Sequence, residues 1–293
     1  MMASEFISFR SWFGKRLSER WVYSSDHPIW HIEVDEDSVV IETRNGERRS
    51  TRYTCLQLDD GKIRWQDVSG PDEWWCGIET VRAGQLLLHG FAKPDFPEHR
   101  GIYAYDVATG KLRWSQSEQT YWFHNSEFIF SIRSGFEKRT ASEIDPETGT
   151  IIREFAENFH EAQSLRETAL RETANRGLVF PEPFAQGVVT QEIREAIARA
   201  TRFGHEEGSG EFAIIGHYVP YAYYVQKKSV RSNETRFLHR LIVLDANLGK
   251  VVFNDLITAD AHAVVGDCFF VFRSRLFYIR NQHQLVCVDL RKS

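Results

Sequence analysis

The stretch YAYDVATGKLRW, residues 103–114, is an apolar run that stops at Asp106, turns through Gly110 and rises again to Trp114. Two further copies share the plan: SEIDPETGTIIR at 142–153 and IVLDANLGKVVF at 242–253. A shortened variant, CLQLDDGKIRW at 55–65, keeps Gly61, Lys62 and Trp65 but has Gln57 where the others have Asp. Asp106, Asp145 and Asp245 are placed to accept hydrogen bonds from turn amides, and Gly110, Gly149 and Gly249 tolerate positive φ. The unit therefore reads as two antiparallel strands joined by a tight turn. The competing reading, a string of calcium-binding aspartates, founders on supply, because each unit offers a single carboxylate and calcium needs six or more oxygens.

The D-x-x-T-G-K-x-x-W pattern resembles the repeat of quinoprotein-type β-propellers, in which it marks the third and fourth strands of a blade. More of the chain, from Pro28-Ile29-Trp30 through LHGFAKPDFPEHRG at 88–101 to YYV at 223–225, is similar to an uncharacterised bacterial family of propeller-like proteins. The resemblance implies a fold and brings no activity with it.

Blade spacing follows. Gly61 to Gly110 is 49 residues and Gly110 to Gly149 is 39, each fit for one four-stranded blade. Gly149 to Gly249 is 100, too long for one blade. Within that interval, ENFHEAQSLRETALRETANR and TQEIREAIARATRF are rich in Ala, Glu, Arg and Leu at helical spacing and flank FPEPF, so residues 157–202 read as a helical insert. The last strand, LVCVDL, ends at Asp289 without a following Gly-Lys-x-x-Trp strand, and PIWHIEV at 28–34 offers Trp30 as the missing bulky position. The expectation is an all-β chain: a five-bladed β-propeller over residues 28–293, closed by N- and C-terminal strands, with a helical insertion between blades three and four. Residues 1–27 read as a leader in which Phe6, Phe9, Trp12, Phe13 and Leu17 fall near helical spacing. Packing against the protein or a partner is the favoured use of that face; peripheral membrane contact through residues 6–20 is the alternative.

The 293 residues carry 36 Lys+Arg against 41 Asp+Glu, a formal charge of −5, with 42% hydrophobic and 26% charged residues. That is a globular composition with no general attraction to nucleic acid. No apolar run approaches a membrane span, and no signal-peptide pattern opens the chain. Cys55, Cys76, Cys268 and Cys287 form no C-x-x-C pair and read as reduced core residues of a cytoplasmic protein. The Asn233-Glu234-Thr235 sequon has meaning only in a secreted chain.

In four-stranded antiparallel blades the turns between third and fourth strands lie at one end, and the loops between second and third strands lie at the other. The longer segments, RNGERRS at 44–50, FAKPDFPEHR at 91–100, RSGFEKR at 133–139 and QKKSVRSNETR at 226–236, all read as such second-to-third loops. A site belongs on that decorated end, together with the insert.

His89, Asp95 and His99 are candidate binding residues that could converge as a metal site or an acid/base pair. The favoured reading is structural: Pro94 and Pro97 stiffen the loop, Phe91 and Phe96 anchor it, and no metal or other cofactor is expected. Trp74, Trp75, Glu79, Tyr121, Trp122, His124, Glu127, Glu211, Asp260 and His262 fall near the starts of inner strands, with Trp75 and Trp122 as binding candidates. Glu79, Glu127, Glu211 and Asp260 are alternative catalytic acids, because two facing carboxylates flanked by aromatics suffice for glycoside hydrolysis. Wedge-filling aromatics and strand-end hydrogen bonds are the favoured reading of these residues. A quinoprotein dehydrogenase is disfavoured by five units and no export signal, and no nucleophile elbow, phosphate loop or dinucleotide loop occurs. Lys227, Lys228, Arg231, Arg236 and Arg240 surround Glu234 and read as a solvated hairpin. The sequence thus favours a non-enzymatic binding or scaffold protein, with a protein or small-molecule partner on the decorated end, over a carbohydrate-binding or glycoside-hydrolysing one.

Overall fold

The computed structural model describes residues 16–93, 96–134, 139–155, 158–173, 177–201, 210–227 and 235–291. After β1 (Glu19–Ser24), the first sheet comprises β2 (Ile29–Val34), β3 (Ser38–Asn45), β4 (Ser50–Gln57) and β5 (Ile63–Val68). The second comprises β6 (Cys76–Arg82), β7 (Gln85–Lys93), β8 (Phe96–Asp106) and β9 (Leu112–Gln116), and the third β10 (Thr120–His124), β11 (Ile129–Ser134), β12 (Arg139–Ile144) and β13 (Ile151–Glu154). Then come α1 (Phe159–Thr173), β14 (Leu178–Val179), β15 (Glu182–Pro183), α2 (Gln191–Ala200), β16 (Glu211–Phe212), β17 (Tyr218–Lys227), β18 (Arg236–Asp245) and β19 (Lys250–Ala261). The chain closes with β20 (Phe269–Phe272), β21 (Arg275–Arg280) and β22 (Gln284–Asp289).

The repeat units form as hairpins. Asp106 Oδ1 accepts from the Thr109 amide at 2.8 Å and its hydroxyl at 2.9 Å, and Asp145 Oδ1 does the same for Thr148 at 2.8 and 3.0 Å. Gly110 and Gly149 follow at φ +69° and +73°. Each glycine also lies under a tryptophan from the preceding sheet. A Cβ on Gly110 would stand 2.9 Å from the Trp65 ring, and one on Gly149 2.6 Å from the Trp114 ring. The indole N–H groups donate into the same turns, Trp65 to the Val107 carbonyl and Trp114 to the Pro146 carbonyl, both at 2.7 Å. Apolar residues of neighbouring sheets fill the space behind: Val40, Cys55, Ile78 and Leu88 between the first two, Leu87, Ala104, Ile129 and Ile144 between the next two.

A single closed five-bladed ring is not what forms. Among the described residues the strands form five separate sheets, three of four strands and two of five, and the chain divides into two compact units. One unit is Tyr23–Leu178 with Gln282–Gln284; the other is Val179–Asn281 with Leu285–Ser293 and the residues through Val22. The tryptophan-on-glycine contact stops with the third sheet, whose corresponding residue is Arg153, paired to Glu161 at 2.7 Å and lying over the Phe155 ring. Among the described residues, chain neighbours aside, nothing lies within 4 Å of where a Gly249 Cβ would be.

The terminal strands are also reassigned. PIWHIEV does not complete the last repeat: β2 opens the first sheet, and Trp30 is 67% exposed. The N-terminal strand paired with β22 is β1, inside the stretch read as a leader, and it buries Trp21 against Phe277 with ring centroids 5.8 Å apart. Arg20-Trp21 repeats the Arg64-Trp65 and Arg113-Trp114 pairs, the signal by which β1 is recognisable. Residues 1–15 lie outside the described residues.

Nor is the helical segment one insert. α1 buries Ala162 and Ala169, seven residues apart, against Phe123, Phe130 and Phe155 of the third sheet's core. α2, capped by Thr190 Oγ1 accepting from the Ile193 amide, buries Ala196 and Ile197 against Phe212, Val219 and Ile242 in the other unit. Between the helices, β14 and β15 join two different sheets. Short strands with polar ends offer no periodicity, so the helices flanking them dominate the sequence signal.

Two outcomes follow. Trp114→Ala removes a buried indole and its hydrogen bond and is expected to cost roughly 3–5 kcal/mol in denaturant unfolding, whereas Trp30→Ala costs under about 1 kcal/mol. In the second unit, buried His239 stacks on Tyr224, ring centroids 4.0 Å apart, and its Nε2 has no hydrogen-bond partner among the described residues. Burial pushes its pKa down to about 4. The unfolded chain therefore takes up that proton first as pH falls. The contribution is complete above the unfolded value of about 6.5 and is lost between there and about pH 4, amounting to about 3 kcal/mol. His239→Gln should flatten this limb of the stability curve.

Candidate functional site

In each of the first three sheets the opening strand carries one extra residue. Ile29 and His31 pair with consecutive Thr43 and Glu42, Ile78 and Thr80 with consecutive Leu88 and Leu87, and Tyr121 and Phe123 with consecutive Ser131 and Phe130. Trp30, Glu79 and Trp122 are thus equivalent bulge residues, turned away from the alternation of their strands. A second bulge sits opposite: Leu88 pairs with Tyr103 and Gly90 with Arg100, so His89 faces both Gly101 and Ile102. Gly101 has φ +85°, and a Cβ there would strike the Tyr103 ring at 2.5 Å.

These bulges bring Glu79 of β6, His89 of β7 and His99 of β8 together, each offering a ligand-type atom within 4.8 Å of the other two. His99 Nδ1 lies 2.6 Å from Glu79 Oε1 in a hydrogen bond. His89 Nδ1 is 3.2 Å from the same oxygen but out of line for donation, and this buried nitrogen has no hydrogen-bond partner. The two imidazoles stack, centroids 3.5 Å apart and planes 10° from parallel, and Phe91 meets both edge-on at 5.1 and 5.5 Å. Behind His89, Gly77 leaves the room its ring occupies: a Cβ would stand 3.0 Å from both Cε1 and Nε2. Burial would push the Glu79 carboxyl up, but the contacts with His89 and His99 outweigh it and hold the group below its ordinary value.

A second group lies in the same unit. Buried Glu42 accepts from Arg44 Nε at 2.7 Å and from the Ile78 amide at 3.1 Å, and Arg44 Nη2 donates to the Cys76 carbonyl at 2.9 Å. So held, the guanidinium lies over Trp30 at 5.1 Å and over Trp74 at 5.3 Å. Trp75 meets Phe91 edge-on at 6.0 Å and lies under Arg49 at 5.7 Å. His31 is raised despite its burial, which acts the other way, because Glu33 bonds it at 3.3 Å and Glu33, Glu42 and Glu79 contribute negative charge.

Of the other sequence candidates, Asp95 lies outside the described residues, as does the side chain of Phe96. Trp122 stacks on Phe159 of α1 at 5.3 Å, a helix-docking contact. The four candidate acids lie in different surroundings. Glu79 serves the histidines, and Glu127 is exposed on the turn after β10. In the other unit Glu211 accepts from the Asp267 amide and the Cys268 amide and thiol, while Asp260 faces Lys227 and Arg236 at 3.5 and 3.6 Å. A cavity of about 520 Å³ in that unit, bordered by Thr201, Tyr223, Arg240 and Asn254, contains none of them. Sequence reasoning missed Glu42 and Arg44. The available signal was a lone carboxylate among the apolar residues of SVVIE at 38–42.

Residues 32–114, a stretch containing Glu79, His89 and His99, match the family described as "Domain of unknown function (DUF4905)". No curated protein matches the chain. Among solved structures it is similar to the β-propeller domain of the Trilobed protease from Pyrococcus furiosus, at 9% identity and TM-score 0.31 over 91% of this chain and 70% of that one. An uncharacterized protein of Listeria monocytogenes EGD-e gives 8% identity and TM-score 0.34 over 88% and 91%. The Pyrococcus horikoshii acylaminoacyl peptidase gives 10% and 0.29 over 87% of this chain, which spans 36% of the peptidase. No helix among the described residues is long and apolar enough to cross a membrane.

Because the Glu79 carboxyl is held low in the folded protein, its stabilisation is present above the unfolded carboxyl value of about 4.3 and is lost as pH falls through the lower folded one. Glu79→Gln should remove this limb from the acid unfolding curve and leave the neutral-to-alkaline range unaltered in slope.

Proposed function

We propose that this chain is a non-enzymatic binding module that takes a protein partner at the hairpin end of its first two sheets. Trp30 carries the reading: a bulge residue 67% exposed, with a fixed guanidinium beside it. Large exposed aromatics are uncommon away from interaction surfaces, and Trp and Arg are the residues that dominate binding energy at protein interfaces. Arg44 is held by Glu42 and the Cys76 carbonyl, so little of its side-chain freedom remains to be lost on binding. Trp74, Trp75 and the β3–β4 and β7–β8 hairpins complete the same end. In this reading the quinoprotein-type turns are scaffold, and four free cysteines, three of them buried, accord with a cytoplasmic protein. Glycoside hydrolysis finds no comparable support: Glu79, Glu211 and Asp260 are each engaged by different neighbours, and Glu127 is exposed on a turn.

A photo-reactive residue placed at Trp30 tests the proposal against one at Leu112, which is 52% exposed on β9. Discrete protein adducts in an extract of the source cells are expected at position 30 alone, and they should fall about tenfold when Trp74→Ala and Arg44→Ala are combined in the same chain. Equal labelling at both positions, or adducts indifferent to those substitutions, would overturn it.

A further inference from the structure

We propose that Glu79, His89 and His99 form a binding site for a divalent transition-metal ion of the zinc type. Two imidazoles and one carboxylate are a donor set used by zinc and its first-row neighbours, whereas calcium and magnesium require oxygen. Three adjacent strands supply the three groups, and two bulges aim them. The decisive feature is His89. Its Nδ1 is buried and faces the Glu79 carboxylate at 3.2 Å, out of line for a well-formed hydrogen bond, so a ligand-type nitrogen is aimed at a carboxylate that His99 already shares. Gly77 behind it and Phe91 at its edge fix the ring in place.

An ion shared by both imidazoles must lie near the plane of each, so one ring has to leave the parallel stack. His99 has the room, its side chain being 38% exposed, while His89 is 7% exposed and fixed. Coordination exchanges the Glu79–His99 hydrogen bond for two metal bonds, and a His99 proton, where present, leaves to solvent. Three protein ligands leave a position open on the solvent side, to be filled by water or by a donor from another molecule. The inference is independent of the partner reading, since it uses none of Trp30, Arg44 or Trp74.

The test uses the full-length chain stripped with a chelator and titrated near neutral pH with Zn²⁺ by calorimetry. Co²⁺ serves as the spectroscopic reporter and Mg²⁺ as the control. One equivalent of Zn²⁺ is expected to bind and raise the melting temperature, Co²⁺ to give the visible bands of a nitrogen–oxygen site, and Mg²⁺ to do neither. His99→Ala and Glu79→Gln should each weaken Zn²⁺ about tenfold or more, and Cys76→Ser should leave it unchanged. His99→Gln serves in place of His99→Ala if the latter melts lower without metal. Absence of saturable Zn²⁺ binding by the folded wild-type chain overturns the proposal, as does unchanged affinity in the folded His99 variants.

Discussion

The packing of a tryptophan from one sheet onto the turn glycine of the next is the constraint on which the three-sheet unit depends. It joins two requirements at one point. The turn needs a residue at positive φ, and the ring above it needs that residue to have no side chain; glycine alone satisfies both. The indole N–H then bonds a carbonyl of the same turn, so the contact fixes orientation as well as burying area. Where Arg153 replaces tryptophan the series ends, and the chain leaves the repeat for α1.

With the sheets fixed in this way, the bulge in each opening strand becomes a position the fold can spend differently. Trp30, Glu79 and Trp122 occupy the same place in three successive sheets. One is exposed, one meets two histidines and one receives a helix. A bulge displaces its residue from the pleat without disturbing the apolar pairs on either side, which is why chemistry can vary there while the cores between sheets remain intact. The Glu79 cluster also needs the second bulge at His89, and that depends on Gly101.

Three carboxylates show how charge at low exposure is satisfied locally. Glu42 is almost wholly buried, but its two oxygens meet Arg44 and a backbone amide. In the other unit Asp255 accepts from Arg280 Nε at 2.8 Å and from the Tyr278 hydroxyl, whose acidity burial suppresses further. Asp289, bonded by Arg291 and lying 3.0 Å from Arg20, is held down to about 2, so it stays ionised where β1 meets β22. Among the described residues, His89, His217 and His239 each keep one buried ring nitrogen outside any hydrogen bond.

The repeat by itself determined the hairpins, their turn chemistry and an all-β chain, because an Asp-to-Gly turn is fixed by contacts within four or five residues. Sequence also placed the connections between second and third strands in the first three sheets, although FAKPDFPEHR, read as a long loop, is strand at 91–93 and 96–100, and it singled out Glu79, His89 and His99 as residues of interest. It grouped His89 and His99 with Asp95, their neighbour along the chain; the tertiary structure supplies Glu79 from the adjacent strand, because bulges shift register by one residue in a way that alternation does not reveal. The number of sheets in one unit, the role of β1 and the separate docking of the two helices were likewise decided in three dimensions. Each depends on which distant residue covers a buried ring, and Trp30, read as a packed repeat position, is left 67% exposed with the Arg44 guanidinium over its ring.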